Sequence, residues 1–512
     1  MFKGHPKGLL AAALANMGER FGFYTMMAIL VLFLQAKFGL SVANAGIIYA
    51  TFYALIYILS LVGGVIADKT KNFKGTILIG LVLMSVGYFV LAYPTPTPVS
   101  NQTLFLAISL AGLLVIAFGN GLFKGNLQAL VGQMYDRGGF SDDKRGSGFQ
   151  IFYMFINVGA IFAPFIAPSI RTWWLHKHGF LYNAELPSLC HAQLNGTISP
   201  ESTELFQKWA NDVTLSGTQV TDLTQFSKDY LNIFTEGFHY AFGIAIIAMA
   251  ISFLIYIMNK QKFPNPLTAE EIKNNEASGA IPQMDAKEIK QRIYALLAVF
   301  GVVIFFWFSF HQNGLTLTYF AKNYTRLNFM GLDLSVESFQ SMNPFFVVFL
   351  TPVIIGFFAW LKRKGKEPSV PKKIAIGMFI AAMAYVLMAI GSIGLPKYSL
   401  INPEQGGTPL LDSEKVTPLL LLGTYFILTI AELFISPLGI AFVSKVAPPK
   451  YQGLMQGGWL GATALGNQLL FIGALLYKSI PLWMTWSVFV IVCLLSMGMM
   501  LLMLKWLERV SK

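Results

Sequence analysis

Of the 512 residues, 55% are hydrophobic and 12% are charged, and the mean hydropathy is +0.59. A soluble domain carries roughly 25% charge, and a soluble chain this long has no interior able to hide so much apolar surface; most soluble enzymes, disordered proteins and nucleic-acid binders are excluded. The net charge of +12 could mark a nucleic-acid partner, but its distribution assigns it to lipid headgroups and topology.

Apolar runs long enough to cross ~30 Å of hydrocarbon, about 20 residues each, occur twelve times. In chain order they lie near 9–36, 43–66, 75–94, 103–132, 148–172, 236–258, 293–320, 339–361, 372–394, 417–444, 454–477 and 483–506. Their length and apolar density favour helices over barrel strands, which would alternate. The predicted fold is an all-α membrane protein with twelve transmembrane helices. The first run continues past Glu19-Arg20 with no clear small-residue cleavage site, so it is not read as a cleavable signal peptide. The two cysteines, Cys190 in a polar loop and Cys493 in an apolar run, make no disulfide framework.

Twelve spans place both termini on one side. The 37 Lys and Arg divide into 25 on that side and 10 on the other, with Arg20 and Lys124 inside spans. Basic loops stay inside, so both termini are expected in the cytoplasm of a multi-pass protein of the plasma membrane, a bacterial inner membrane. Residues 259–291 are polar and charged and read as a cytoplasmic linker between residues 1–258 and 292–512, each a six-helix bundle. Residues 173–235 form an external insert, read either as a small cap or as a loosely ordered loop. A 6+6 arrangement suggests repeated bundles around a central cavity. A weak repeat supports it: the loops after spans 2 and 8, Gly63–Gly75 and Leu361–Lys366, are both short, basic and glycine-containing. The first looks like the loop motif of the major facilitator superfamily. There Gly64 would allow close helix approach, and Asp68 would cap or pair with a helix end.

Ionisable residues inside spans cost at least ~2.5–3.5 kcal/mol each on insertion scales, so they must face a cavity or each other. Glu19, Arg20, Lys124, His311 and Glu432 are such residues. Adjacent helical residues point ~100° apart, so Glu19 and Arg20 are expected to face a cavity and a neighbouring helix separately, with Lys124 of span 4 brought to Glu19. A purely structural ion-pair network is the plain alternative. Buried pairs stabilise poorly, however, and cations in one half with an anion in the other suit a zwitterion: carboxylate to Arg20 or Lys124, amine to Glu432. Asn157, Asn343, Tyr24 and Tyr57 also sit in spans, where each serves either helix packing or a ligand.

The segments Gly18–Leu30, Tyr57–Asp68, GNGLFKGN (Gly119–Asn126), Gly148–Pro168, Phe306–Gly314, Phe339–Phe346, Ala431–Pro448 and Trp459–Gly466 together resemble the proton-dependent oligopeptide transporter family of the major facilitator superfamily. The resemblance implies import of di- and tripeptides by alternating access with proton symport. Carried over by position, Arg20 and Lys124 would hold the peptide carboxylate. Glu432, Asn157 and Asn343 would hold its amino end, with Ser436 beside them in the same span-10 motif. Tyr24 and Tyr57 would line the pocket, and Trp459 a side-chain subsite. Glu19 and Lys124 would form the proton-sensitive pair of the E-x-x-E-R motif, with Glu432 as a further proton-coupling group.

The chain departs from that pattern at Asn16, Phe23, Met27 and His311. Met27 and His311 replace an Arg and a Glu expected to pair in an external gate, so no charge is stranded. His311 either takes over part of the protonation role, since a His titrates in the physiological range, or stays neutral against a helix neighbour. The alternative function is a related secondary transporter with altered coupling or a different amino-acid-like substrate. An intramembrane enzyme would need a nucleophile–base set or a spacing such as HExxH; none occurs. A receptor using the insert as a docking cap is a third class. His176, His178 and His191 cluster in the insert, as metal ligands or as solvated loop residues. No metal or cofactor is expected beyond the proton as coupling ion, and the partners are a short peptide and the bilayer, with the chain a monomer. Pro164, Pro168, Pro344 and Pro437, with Gly439, are expected to bend or break helices near the cavity.

Overall fold

The computed structural model describes residues 4–70, 72–137, 142–217, 219–265, 285–448 and 452–511. Among them twelve helices are long and apolar enough to cross a membrane. They are Leu9–Phe38 (span 1), Val42–Ala67 (span 2), Phe73–Ala92 (span 3), Gln102–Tyr135 (span 4), Phe155–Lys177 (span 5) and Leu223–Met258 (span 6). Ala286–Tyr324 (span 7), Val336–Phe358 (span 8), Val370–Gly391 (span 9), Leu419–Ser436 (span 10), Gly457–Ser479 (span 11) and Leu482–Val510 (span 12) follow. Each expected span is present. Helical backbone is what lipid demands, because a helix satisfies its own N–H and C=O groups.

Packing repeats with an offset of six. Spans 1·5, 1·6, 2·4, 3·4 and 3·6 pack together, and so do their counterparts 7·11, 7·12, 8·10, 9·10 and 9·12. The two halves meet through spans 2 against 11 and 5 against 8, which the same offset exchanges. The molecule is thus two six-helix bundles with related interiors. Of the linker 259–291, residues 266–284 lie outside the described residues. At its near end Phe263 stacks on Tyr256 with centroids 5.0 Å apart, and Lys74 donates to Asn265 at 3.0 Å.

Span 4 organises the first bundle through its GNGLFKGN segment. A Cβ on Gly119 would lie 2.7 Å from the Gly80 carbonyl of span 3, and one on Gly121 2.5 Å from the Leu59 carbonyl of span 2. Asn126 donates to the Gly63 carbonyl at 3.0 Å. Small residues let backbones approach where lipid gives no hydrophobic drive between helices. The close approach expected at Gly64 belongs instead to Gly63, which faces Gly121; around Gly64 there is nothing within 4 Å. One residue along a helix turns the side chain by ~100°, so only one of two adjacent glycines can meet the neighbour. The side chain of Asp68 lies outside the described residues.

Of the bends or breaks expected at the prolines, no break occurs among the described residues. The helices Asp142–Lys177 and Leu419–Val446 run on through Pro164, Pro168 and Pro437. Pro344 sits in the first turn of the helix Met342–Arg363, where its missing N–H costs nothing. The interruptions fall elsewhere. Span 7 passes through a 3-10 turn, His311–Gly314, to a second helix, Thr316–Tyr324, and span 11 divides at Leu469 into Gln452–Gln468 and Leu470–Ser479.

The insert folds as a cap. It holds the helices Leu186–Asn195 and Pro200–Val213 and the first turns of Leu223–Met258. Cys190, expected in a loop, is buried in the first of these, and both cysteines are free.

Candidate functional site

Glu19 is fully buried and Arg20 is 3% exposed. They do not point apart. The Arg20 guanidinium turns sideways to donate from Nε and Nη2 to the two Glu19 carboxylate oxygens at 2.5 and 2.7 Å, a two-pronged charge-assisted contact. Asn120 of span 4 donates to Glu19 at 2.7 Å. The expected Glu19–Lys124 pair is therefore replaced in this structure by Glu19–Arg20–Asn120. Asn120 was legible only as a polar residue inside the quoted span-4 motif.

Lys124 is left without an ion pair among the described residues. Its ammonium stands over the Tyr57 ring, 4.2 Å from the centroid, a contact that stabilises a desolvated cation. Tyr57 packs on Tyr53 at 5.8 Å. Tyr24 and Tyr57 each lie within electrostatic range of both Arg20 and Glu432. Charges from the two bundles thus address one place. Tyr24, Tyr57, Lys124, Asn157, Asn343, Glu432 and Ser436 are all only half-buried, and polar groups at this depth must meet each other or a water-filled space.

On the second bundle, Asn343 donates to Glu432 at 2.8 Å and to Thr429 at 3.1 Å. These hydrogen bonds fix Asn343 against the carboxylate, which has no cation within ion-pair distance among the described residues. Asn157 stands on span 5 and Ser436 one turn along from Glu432. Trp459 is placed differently from expectation: it is 3% exposed, packed edge-on to Phe300 at 6.4 Å and filling the space a side chain on Gly439 would need.

His311 occupies the interruption of span 7. Its Nδ1 meets Asn467 Oδ1 at 2.5 Å, beside the interruption of span 11. An amide oxygen only accepts, so Nδ1 carries the hydrogen. The ring stacks on Trp307 at 4.9 Å and tilts against Tyr53 at 4.8 Å. Next to it Gln312 donates to the Leu470 carbonyl at 3.3 Å and accepts from Thr316 at 2.6 Å. The ring is thus hydrogen-bonded to a neighbouring helix and packed among aromatic side chains. Interrupted helices whose freed backbone groups are met by side chains are the usual way irregular backbone survives at membrane depth.

On the side away from the termini the bundles are joined. Arg171, at the end of span 5, is ion-paired with Glu337, at the start of span 8, and both are fully buried. The guanidinium lies 3.9 Å from the centroid of Tyr182 in the insert. Nearby, Gln340 donates to the Ala28 carbonyl at 3.4 Å and Ser341 to the Ile161 carbonyl at 2.9 Å. The insert spans the same seam: His191 Nε2 donates to the Ala36 carbonyl of span 1 at 2.8 Å, and Ser202 donates to the Gly407 carbonyl of the second half at 2.7 Å. The ion pair expected at the positions of Met27 and His311 is absent, and Arg171 and Glu337 form one between other helices on this side. The histidines of the insert are used separately: His191 on span 1 and His178 Nδ1 on the Trp174 carbonyl at 2.9 Å. His191, read as solvated or metal-binding, is buried, and no metal-ligating group of three or more side chains occurs among the described residues.

The family model described as POT family matches residues 74–277 and 261–483. The chain is 26% identical over 523 residues to the uncharacterized transporter YclF of Bacillus subtilis, covering 100% of this chain and 96% of that one. It is 27% identical to the peptide transporter YePEPT of Yersinia enterocolitica, covering 91% and 87%, and 24% identical to dipeptide and tripeptide permease A of Escherichia coli, covering 90% and 82%. Among solved structures, a peptide transporter POT in complex with sulfate superimposes with a TM-score of 0.72 at 24% identity, over 100% of this chain and 96% of that one. A POT family transporter in complex with 5-aminolevulinic acid gives 0.70 at 22% identity, over 100% and 98%. Two bundles related by an offset of six, breaks facing each other in spans 7 and 11, and a family match running across both halves lead to one statement: this chain belongs to the POT family.

Proposed function

We propose that this protein is a proton-coupled symporter that imports di- and tripeptides by alternating access, working as a monomer with both termini in the cytoplasm. The observation that carries the reading is the division of charge without an ion pair among the described residues: Lys124 on the first bundle, beside Tyr57, and Glu432 on the second, within electrostatic range of Tyr24, both half-buried. A peptide carboxylate is assigned to Lys124, with Arg20 behind it held by Glu19. The amine is assigned to Glu432, presented by Asn343 and Thr429, with Asn157 and Ser436 at the rim. Arg171–Glu337 and the insert hold the outer side closed. Glu432 and Glu19 are the proposed proton carriers, and His311 is assigned to holding the broken helices together. The named relatives, a peptide transporter and a dipeptide and tripeptide permease, support the substrate class.

A second reading, an amino-acid-like substrate other than a peptide, is favoured by the missing gate pair at Met27 and His311 and by the neighbour bound to 5-aminolevulinic acid. Uptake of labelled dialanine into proteoliposomes, with and without an inward proton gradient, tests the first reading. Acceleration by the gradient and its loss in Glu432→Gln are expected. Gradient-independent uptake, or competition by 5-aminolevulinic acid but not by dipeptides, would overturn it.

A further inference from the structure

Between the far ends of spans 1, 3, 4 and 6 lies a cavity of about 310 Å³ that the transport reading does not use. Its walls are mostly carbon, with Phe33, Phe105 and Ile108 among them. Phe89, Tyr93 and Ile108 at its mouth are 61%, 63% and 43% exposed. The cavity therefore opens sideways, on a surface that meets lipid.

Two groups in the wall are not apolar. Lys37 is 1% exposed, and its ammonium donates to the Thr95 carbonyl and, at 3.3 Å, to the Pro96 carbonyl. That uses two of three N–H groups, and no carboxylate lies within ion-pair distance among the described residues. Glu236 is in electrostatic range but is held by Trp174 at 3.2 Å and Asn232 at 3.1 Å. His239 is 4% exposed. Its Nδ1 donates to the Leu91 carbonyl at 2.6 Å, which leaves Nε2 an acceptor in the neutral ring, and Nε2 is buried with no partner. A buried cation facing only neutral oxygens and a buried acceptor facing nothing are both costly unless a further molecule completes them.

We propose that this cavity is a binding site for one anionic glycerophospholipid with a free headgroup hydroxyl, taken from the leaflet on the far side. An acyl chain lies against Phe33, Phe105 and Ile108. A phosphate oxygen accepts the third N–H of Lys37, and the headgroup hydroxyl donates to His239 Nε2. A buried lysine with a spare N–H favours a charge-assisted hydrogen bond to phosphate, and the aromatic residues at the mouth sit at the depth where such rings gather. The proposal rests on the placement of the chain in a membrane and not on what it transports.

The test is native mass spectrometry of the purified full chain in detergent, titrated with phosphatidylglycerol, with phosphatidylethanolamine and with glycerol phosphate. One phosphatidylglycerol should persist at collision energies that strip the rest. Its apparent affinity should fall on the order of tenfold in Lys37→Met. It should also fall in Ile108→Trp, which fills the cavity from a lipid-exposed position and should leave melting of the lipid-free protein unchanged. Equal retention of phosphatidylethanolamine, indifference to both substitutions, or full competition by chainless glycerol phosphate would each overturn the site.

Discussion

The side chains of His311 and Asn467 meet at 2.5 Å, where spans 7 and 11 both stop being continuous helix. A buried hydrogen bond is worth about 1 kcal/mol net, and leaving its partner unsatisfied costs about 1–3 kcal/mol. His311→Gln can still donate to Asn467 and should keep gradient-driven uptake within about threefold of wild type, whereas His311→Leu should lose on the order of tenfold. Uptake assays across pH on both variants decide it. Loss of the proton dependence in His311→Gln, with binding intact, would move the proton onto this ring.

Glu432 should distinguish a free amine from a blocked one. Wild type is expected to bind dialanine at least about tenfold better than N-acetyl-dialanine, and Glu432→Gln to abolish most of that preference. Competition binding in detergent measures it. An unchanged preference would send the amine elsewhere.

The Arg171–Glu337 pair is fully buried, so removing one partner should cost about 3–5 kcal/mol, while replacing both with apolar groups should be near neutral. The double variant Arg171→Met/Glu337→Met should stay folded and open on the far side more often. A cysteine at Gln35 would then react with an impermeant maleimide on the order of tenfold faster. Background is low because Cys190 and Cys493 are buried. No change in labelling would remove the latch from the transport cycle.

Gly63 and Gly64 give a paired comparison. Gly63→Ala forces a methyl into the Gly121 backbone and should destabilise by about 1–3 kcal/mol. Gly64→Ala meets nothing within 4 Å and should melt like wild type. Thermal unfolding in detergent reads both.

Burial holds the His191 imidazole below its ordinary value. Its docked form therefore binds fewer protons than its undocked form, so docking of the helix Leu186–Asn195 is at full strength above the ordinary histidine value near 6.5 and weakens as pH falls through it. Amide exchange over 186–195, corrected for intrinsic rates, should accelerate between about pH 7.5 and about pH 5.5, and His191→Gln should flatten the response. Identical protection at both pH values would show that the ring does not govern docking.

The spans were legible because lipid leaves a long unbroken apolar run as its mark, and the charges at depth were legible because they have no business there without a cavity. Partnership was not. Glu19 and Arg20 are neighbours in the chain, a spacing that helix geometry sets apart, and only the reach of the guanidinium joins them. Arg171 and Glu337 are 166 positions apart, one of them in what reads as a loop, and the missing gate pair drew attention to spans 1 and 7. The interruptions at Gly314 and Leu469 escaped because proline was taken as the mark of a break, when here polar side chains from the opposing helix make the break tolerable.

Because Arg20 is satisfied within its own helix, the charges at depth without an ion pair among the described residues include a lysine on one bundle and a glutamate on the other. Such a division has polarity. On the proposed assignment, a chain of two or three residues would lie head to glutamate and tail to lysine, and the reversed molecule would meet like with like at both ends. On that assignment, the direction in which a substrate lies is fixed before any of its side chains is read.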